Sequence, residues 1–203
     1  VSLTARSRPA AHFQRLYGGR SDPWHYRSSP YERAKFRHTV AALGGRRFAA
    51  ALEVGCSIGV LTRQLAPHCA ELLGIDAVPR TLAVARRTCA GLAGVRFRPC
   101  RVPADWPAGR FDLIVLSEVL YFLAPADLAR LAGRVLGSLV PGGLVLLVNW
   151  TGVADDPLTG DAAVRLFRRR VRGALHRVRG RRAAGYRLDL LRAARHPPGQ
   201  RPA

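Results

Sequence analysis

The chain contains no methionine and a single lysine, Lys35, among 33 basic residues. Acids are scarce too: 13 Asp and Glu leave a formal charge of +20. No apolar run approaches the roughly 18 residues of a membrane-spanning helix, and the N-terminal residues lack the apolar core of an export signal. The expectation is therefore a soluble protein of the cytoplasm. Cys56, Cys69, Cys89 and Cys100 form no C-x-x-C pair and have no histidine at zinc-ligand spacing. They read as reduced, mostly buried thiols, so neither a disulfide framework nor a metal site is expected.

The charge alone would suggest a nucleic-acid partner. However, arginine without lysine, beside many Ala, Gly and Pro, is also what GC-rich coding produces without selection for binding. Much of the excess is late in the chain. Arg165, Arg168, Arg169, Arg170, Arg172, Arg177, Arg179, Arg181 and Arg182 follow Asp161 with no acid before Asp189. Such a stripe can bind polyanions or be a solvated surface, and sequence leaves both open. Nucleic acid is not the expected partner, and no sequence feature speaks to oligomeric state.

What the chain does have is alternation. Apolar runs at 49–54, 72–76, 95–99, 111–117 and 144–149 are separated by helical patterns at 58–66, 79–91 and 125–139. Pro79 and Pro125 stand at first helical turns, and Pro141-Gly142-Gly143 reads as a tight turn into the fifth strand. Strands alternating with helices give a doubly wound, mostly parallel sheet of the Rossmann-like kind. A helix around 160–173 and an antiparallel hairpin, with 186–191 as its second strand, close the domain. The expected division is an N-terminal segment over residues 1–45, a domain over 46–192 and a disordered tail over 193–203. Within the first, residues 1–10 read as polar and mobile, the stretch around Trp24 as a loop, and 30–43 as a helix.

The stretch "ALEVGCSIGVLTRQLA" from Ala51 to Ala66 marks the chemistry. Gly55 and Gly59 bracket Cys56 and Ser57, but the middle glycine of a dinucleotide fingerprint is absent, as is the lysine of a phosphate-binding loop. Glu53 closes the first strand, and Asp76 closes the second about 20 residues after Gly55, placed to accept both hydroxyls of a ribose. Ser117 and Glu118 end the fourth strand in the same crevice. This set suits a nucleoside without phosphates, whose other end passes over Gly55 and Gly59 where no Cβ intrudes.

"LEVGCSIGVLT", "LLGID", "FDLIVLSEVLYFL" and "LVPGGLVLLV" resemble motifs of the class I S-adenosylmethionine-dependent methyltransferases. "DPWHYRSSPYERAKF", "PADWPAGRFDLIVLSEVLYFL" and "NW…DDPLTGD" are similar, more narrowly, to the nodulation protein S family. That resemblance implies S-adenosyl-L-methionine as cofactor and N-methylation of an amine on an oligosaccharide or other small molecule. A small-molecule O-methyltransferase and a degenerate, non-enzymatic cofactor-binding module are the alternatives. Two departures stand out. Arg101 occupies the place of an acid that helps hold adenine, leaving backbone near Val102, or Asp105, for that role. Asn149 occupies the place of a histidine.

The cofactor set expected on these grounds is Trp24, Arg33, Glu53, Gly55, Cys56, Ser57, Gly59, Asp76, Ala77, Val102 and Ser117. Within it, the N-terminal segment is read as a lid, with Trp24 covering the cofactor and Arg33 binding its carboxylate; plain packing of an extra helix is the alternative. Glu118 and Tyr121 are the candidates to orient the acceptor amine and receive its proton. Tyr121, Asn149, Trp150 and Asp161 are candidates for the acceptor side. Solvation is the plain reading of Lys35.

Overall fold

The computed structural model describes residues 6–194; most of the expected tail, and the first five residues, lie outside them. Five parallel strands follow chain alternation: β1 (Phe48–Val54), β2 (Cys69–Asp76), β3 (Val95–Pro99), β4 (Phe111–Ser117) and β5 (Leu139–Trp150). The hairpin β6 (Leu175–Ala183) and β7 (Tyr186–Ala193) adds two antiparallel strands, giving the order β3-β2-β1-β4-β5-β7-β6. The winding reverses between β1 and β4, so a crevice opens beyond the ends of those strands.

Alternation along β4 shows how the sheet is covered. Leu113 and Val115 face one apolar cluster, with α2 (Pro30–Ala42) and α3 (Val60–Leu65). Ile114 and Leu116 face the other, with α5 (Pro125–Ser138) and α6 (Gly160–Arg170). Both faces being buried, the strand reads as a continuous apolar run and not an alternating one. The helix α4 (Pro79–Thr88) packs beside α3, against β2 and β3.

Three local readings change. A further helix, α1 (Ala10–Gly18), precedes the expected one. The residues before it are fastened rather than loose: the Ala124 N–H donates to Ser7 Oγ at 2.9 Å, and Arg8 pairs with Asp156 at 2.9 Å. Pro141-Gly142-Gly143 is no turn between elements. It lies inside β5, where pairing with β4 jumps from Phe111↔Leu139 to Leu113↔Leu144 and the extra residues bulge out.

Candidate active site

Two clefts adjoin at the reversal of the sheet. The first, about 360 Å³, is walled by Gly55, Ser57, Asp76, Ala77, Val102 and Ser117, with Trp24 from the segment before the sheet. The second, about 470 Å³, is walled by Tyr31, Glu32, Lys35, Tyr121, Trp150, Asp155 and Asp156. Arg8, Trp24, Tyr26, Glu118 and Phe122 line both. Both volumes suit a small-molecule site.

The strand ends set the floor of the first cleft. Gly55 has φ +79°, and a Cβ there would meet Val119 Cγ2 at 2.5 Å. Only glycine fits this turn. Asp76 uses its carboxylate to pin the loop, accepting from the Ser57 and Val78 N–H groups, each at 2.9 Å. Burial raises its pKa, and those backbone donors pull it back. An ionised carboxylate offers about four acceptor positions, so capacity remains for a ligand's hydroxyls.

The roof comes from the N-terminal segment. Tyr17 of α1 is buried and its hydroxyl meets Ser57 Oγ. Trp24 packs edge-on to Tyr17 at 5.1 Å and stacks with Tyr26 at 5.8 Å, while Phe13 sits edge-on to Phe122 at 4.8 Å. Sequence reading missed α1 and with it Arg8, Phe13 and Tyr17. The spacing of Phe13, Leu16 and Tyr17 behind Pro9 was the available signal.

Other expected residues fall elsewhere. Arg33 is exposed and donates to the Ser28 carbonyl; it lines neither cleft, because the buried face of α2 carries Glu32, Lys35, Phe36 and Thr39. Gly59 lines neither of the two clefts, and helix packing accounts for it, since a Cβ there would lie 3.0 Å from Ala85 Cα. Glu53 and Cys56 sit behind the glycine turn, around a void of about 20 Å³ that also touches Gly55, Ser57 and Ser117. Asp105 is taken up by Arg101, accepting from its N–H and its Nε, and is absent from the cleft wall. Asp161 binds Arg182 and Arg187 and lines neither cleft. Asn149 is fully buried with neither amide atom partnered, and it reaches neither cleft.

Glu53 gives a measurable consequence. Its side chain is sealed, one oxygen has no partner, and burial pushes its pKa up to about 7. The folded state therefore holds a proton that the unfolded state releases. This residue's contribution is least unfavourable below its unfolded value and worsens as pH rises from there to about 7. At neutral pH the penalty is on the order of 3 kcal/mol. Glu53→Gln should flatten that fall. Denaturant melts of both proteins from acid to neutral pH check it; parallel curves would mean that Glu53 is not buried as a carboxylic acid.

The junction of the clefts is built around Glu118. It holds φ +55°, uncommon for a residue with a side chain. Lys35 Nζ lies 2.7 Å from its Oε1, and its Oε2 accepts from the Tyr121 hydroxyl at 3.0 Å and the Trp150 N–H at 2.7 Å. Lys35 also reaches Glu32 at 2.9 Å. Far from being solvated, Lys35 is 2% exposed and is the only cation buried to that degree among the described residues. Burial opposes its charge, yet Glu118 and Glu32 carry its pKa above the ordinary value. Burial raises Glu32, and it raises Tyr121 well above a normal phenol, so Tyr121 donates to Glu118 and does not accept a proton. Two carboxyl groups thus share one ammonium.

Comparison with known proteins agrees with this geometry. A family model described as Nodulation protein S (NodS) matches residues 15–144. Nodulation protein S of Rhizobium tropici is 38% identical over 124 residues, which are 60% of this chain and 52% of that protein. The chain spans about half the length of the curated relatives it matches. Among solved structures, the N-methyltransferase NodS of Bradyrhizobium japonicum WM9, in complex with S-adenosyl-L-homocysteine, superposes with TM-score 0.80 at 23% identity, covering 92% of this chain and 99% of that one. A candidate methyltransferase from Pseudomonas syringae gives TM-score 0.70 at 36% identity, covering 80% and 98%. The fold is thus the class I methyltransferase fold that the motif resemblance implied, built on the doubly wound sheet expected from the strand pattern. No described helix is long and apolar enough to cross a membrane.

Proposed function

Because the chain belongs to the nodulation protein S family, we propose that it moves a methyl group from S-adenosylmethionine to an amine of a sugar or other small molecule. Its unbridged cysteines support a reducing, cytoplasmic setting for this work. The residues of the first cleft suit such a cofactor. Asp76 keeps acceptor capacity for ribose hydroxyls, Gly55 lets backbone approach closely, and the chain near Val102 offers main-chain groups to a base. Arg8 replaces Arg33 as the cation for the amino-acid carboxylate. When bound, the sulfonium supplies an electrophilic methyl group.

The acceptor reading rests on Glu118, which faces both clefts. The second cleft gathers Glu32, Glu118, Asp155 and Asp156 against only Arg8 and Lys35, an acidic pocket in a chain of charge +20. Its aromatic walls suit the apolar faces of sugar rings, and its acids suit an amine. With Oε1 engaged once and Oε2 twice, Glu118 retains one acceptor direction. It orients the amine N–H, and its carboxylate stabilises the positive charge that methylation places on nitrogen. Tyr121 acts by positioning Glu118. Alignment and exclusion of water supply the rest.

The test is transfer of labelled methyl to a glucosamine oligosaccharide bearing one free amine, beside its fully N-acetylated form and a phenol. Label on the amine alone is expected; label on the phenol or acetylated sugar alone would overturn the reading. Asp76→Ala should weaken S-adenosylhomocysteine binding by about 1.5–3 kcal/mol, as charge-assisted hydrogen bonds are lost. Unchanged calorimetric affinity in a folded variant would remove Asp76 from the site.

A further inference from the structure

The late arginines do not form an even surface. Arg165, Arg168, Arg169 and Arg172, at the C-terminal half of α6 and just beyond, converge with His176 and Arg177 of β6 on a concavity of about 420 Å³. No carboxylate and no large aromatic ring lines it. It lies at the outer edge of the sheet, and its residues fall outside the 15–144 stretch matched by the family model.

Several arginines elsewhere are satisfied by nearby carbonyls. Arg63, Arg80 and Arg110 donate to the carbonyls of Thr88, Gly18 and Gly137. In the groove, Arg165, Arg168, Arg169 and Arg172 have no side-chain hydrogen bond or ion pair among the described residues. The two acids of this region are spent just above, Asp161 on Arg182 and Arg187, and Asp189 on Arg187 and Arg177. The sequence after Asp189 contains no Asp or Glu. The dipole of α6 favours cations at its last turn, but only by fractions of a kcal/mol at an exposed surface. Four like charges facing one hollow repel one another until an anion enters.

We propose that this groove is a binding site for a small, multiply charged phosphate ligand, a di- or triphosphate group. Guanidinium forks match phosphate oxygens bidentately. The absence of large aromatic rings leaves nothing on which a nucleobase would stack. The unpaired stretch from Arg165 to Arg172 is short, roughly 10 Å at helical rise. That length suits an oligophosphate. A duplex held by 6–10 phosphate contacts needs a longer track.

Calorimetry of the full chain with tripolyphosphate tests the site, with a short DNA duplex as the competing probe. Tripolyphosphate should bind and weaken as salt rises. The double variant Arg169→Glu, Arg172→Glu should bind it at least about tenfold more weakly, with its melting temperature and S-adenosylhomocysteine affinity unchanged. Both side chains are exposed, so the melt reports any loss of fold. Absence of tripolyphosphate binding, or equal binding by the variant, overturns the proposal. A duplex that binds more tightly than tripolyphosphate also overturns it and makes the face a nucleic-acid surface. Failure of the methyltransferase reading would show in the S-adenosylhomocysteine titration alone and leave the phosphate result intact.

Discussion

Lys35→Met should destabilise the protein by about 3–5 kcal/mol, because it strands the buried carboxylate of Glu32 and the half-buried one of Glu118. Lys35 is the counter-charge for Glu32 and Glu118, at 2.9 and 2.7 Å. Without it Glu118 keeps the Tyr121 hydroxyl and the Trp150 N–H, whereas Glu32 is left without a cation. Domains have total stabilities of about 5–15 kcal/mol, and at this size each kcal/mol moves the melting temperature by about 2–4 °C. A fall on the order of 10 °C is expected. The sign of the pH dependence is diagnostic. Burial already raises the pKa of Glu32, and loss of Lys35 removes the charge that opposes that rise, so the variant's deficit is smallest below the unfolded value of Glu32 and grows as pH rises. Adding Glu32→Gln should return part of the loss by removing the less satisfied charge. A variant melting within a degree or two of the parent at neutral pH would show that this buried triad does not form.

The alternating strands, the reversal point and the polar strand ends were legible because each depends on local pattern: apolar runs of strand length, prolines at helix starts, glycines at a turn. Asp76, Ser57 and Ser117 followed from the same logic, since strand ends in a wound sheet face the crevice whatever the rest of the chain does. Lys35 was not legible. Its pairing with Glu32 is an i,i+3 relation visible on α2, but its pairing with Glu118 crosses 83 positions and depends on how α2 docks. The phase of that helix likewise decided between Arg33 and Lys35. The neighbouring Arg33 faces outward, and a stretch so rich in charge and aromatics does not mark its buried side. At Gly59 the need for glycine is accounted for by the approach of Ala85, and a missing Cβ does not by itself tell helix packing from ligand contact. Helix α1 was passed over because nine residues with no side-chain cap carry little local signal, and its aromatics matter only against the sheet.

Deleting residues 1–28 should leave the sheet folded, lower S-adenosylhomocysteine affinity by about a hundredfold or more, and abolish turnover. A hundredfold corresponds to about 2.7 kcal/mol, which is modest beside what the segment contributes to the cleft. Phe13, Tyr17, Trp24 and Tyr26 all line the first cleft, and Arg8 is a cation on its wall. Each large apolar side chain moved out of water is worth about 1.5–3 kcal/mol, so a ligand that completes this roof gains from several of them. The strands do not need the segment: none pairs with it, and the two clusters on the sheet faces are built from residue 36 onward, apart from the half-buried Tyr26 at one margin. The third cluster does need it, because Tyr17 covers Ile58, Val78 and Val84. The truncated protein should therefore bind an apolar dye at the uncovered crevice while keeping its far-ultraviolet spectrum. Trp24→Ala alone removes one of the rings that touch both clefts and should weaken cofactor binding by about tenfold, or about 1.4 kcal/mol. Tyr17→Phe keeps the cover and loses only the hydroxyl contact to Ser57, so its effect should be smaller than that of Trp24→Ala. If the truncated chain bound S-adenosylhomocysteine as the full chain does and turned over at the full rate, the segment would be packing only, and the roof over the first cleft would have no part in holding the cofactor.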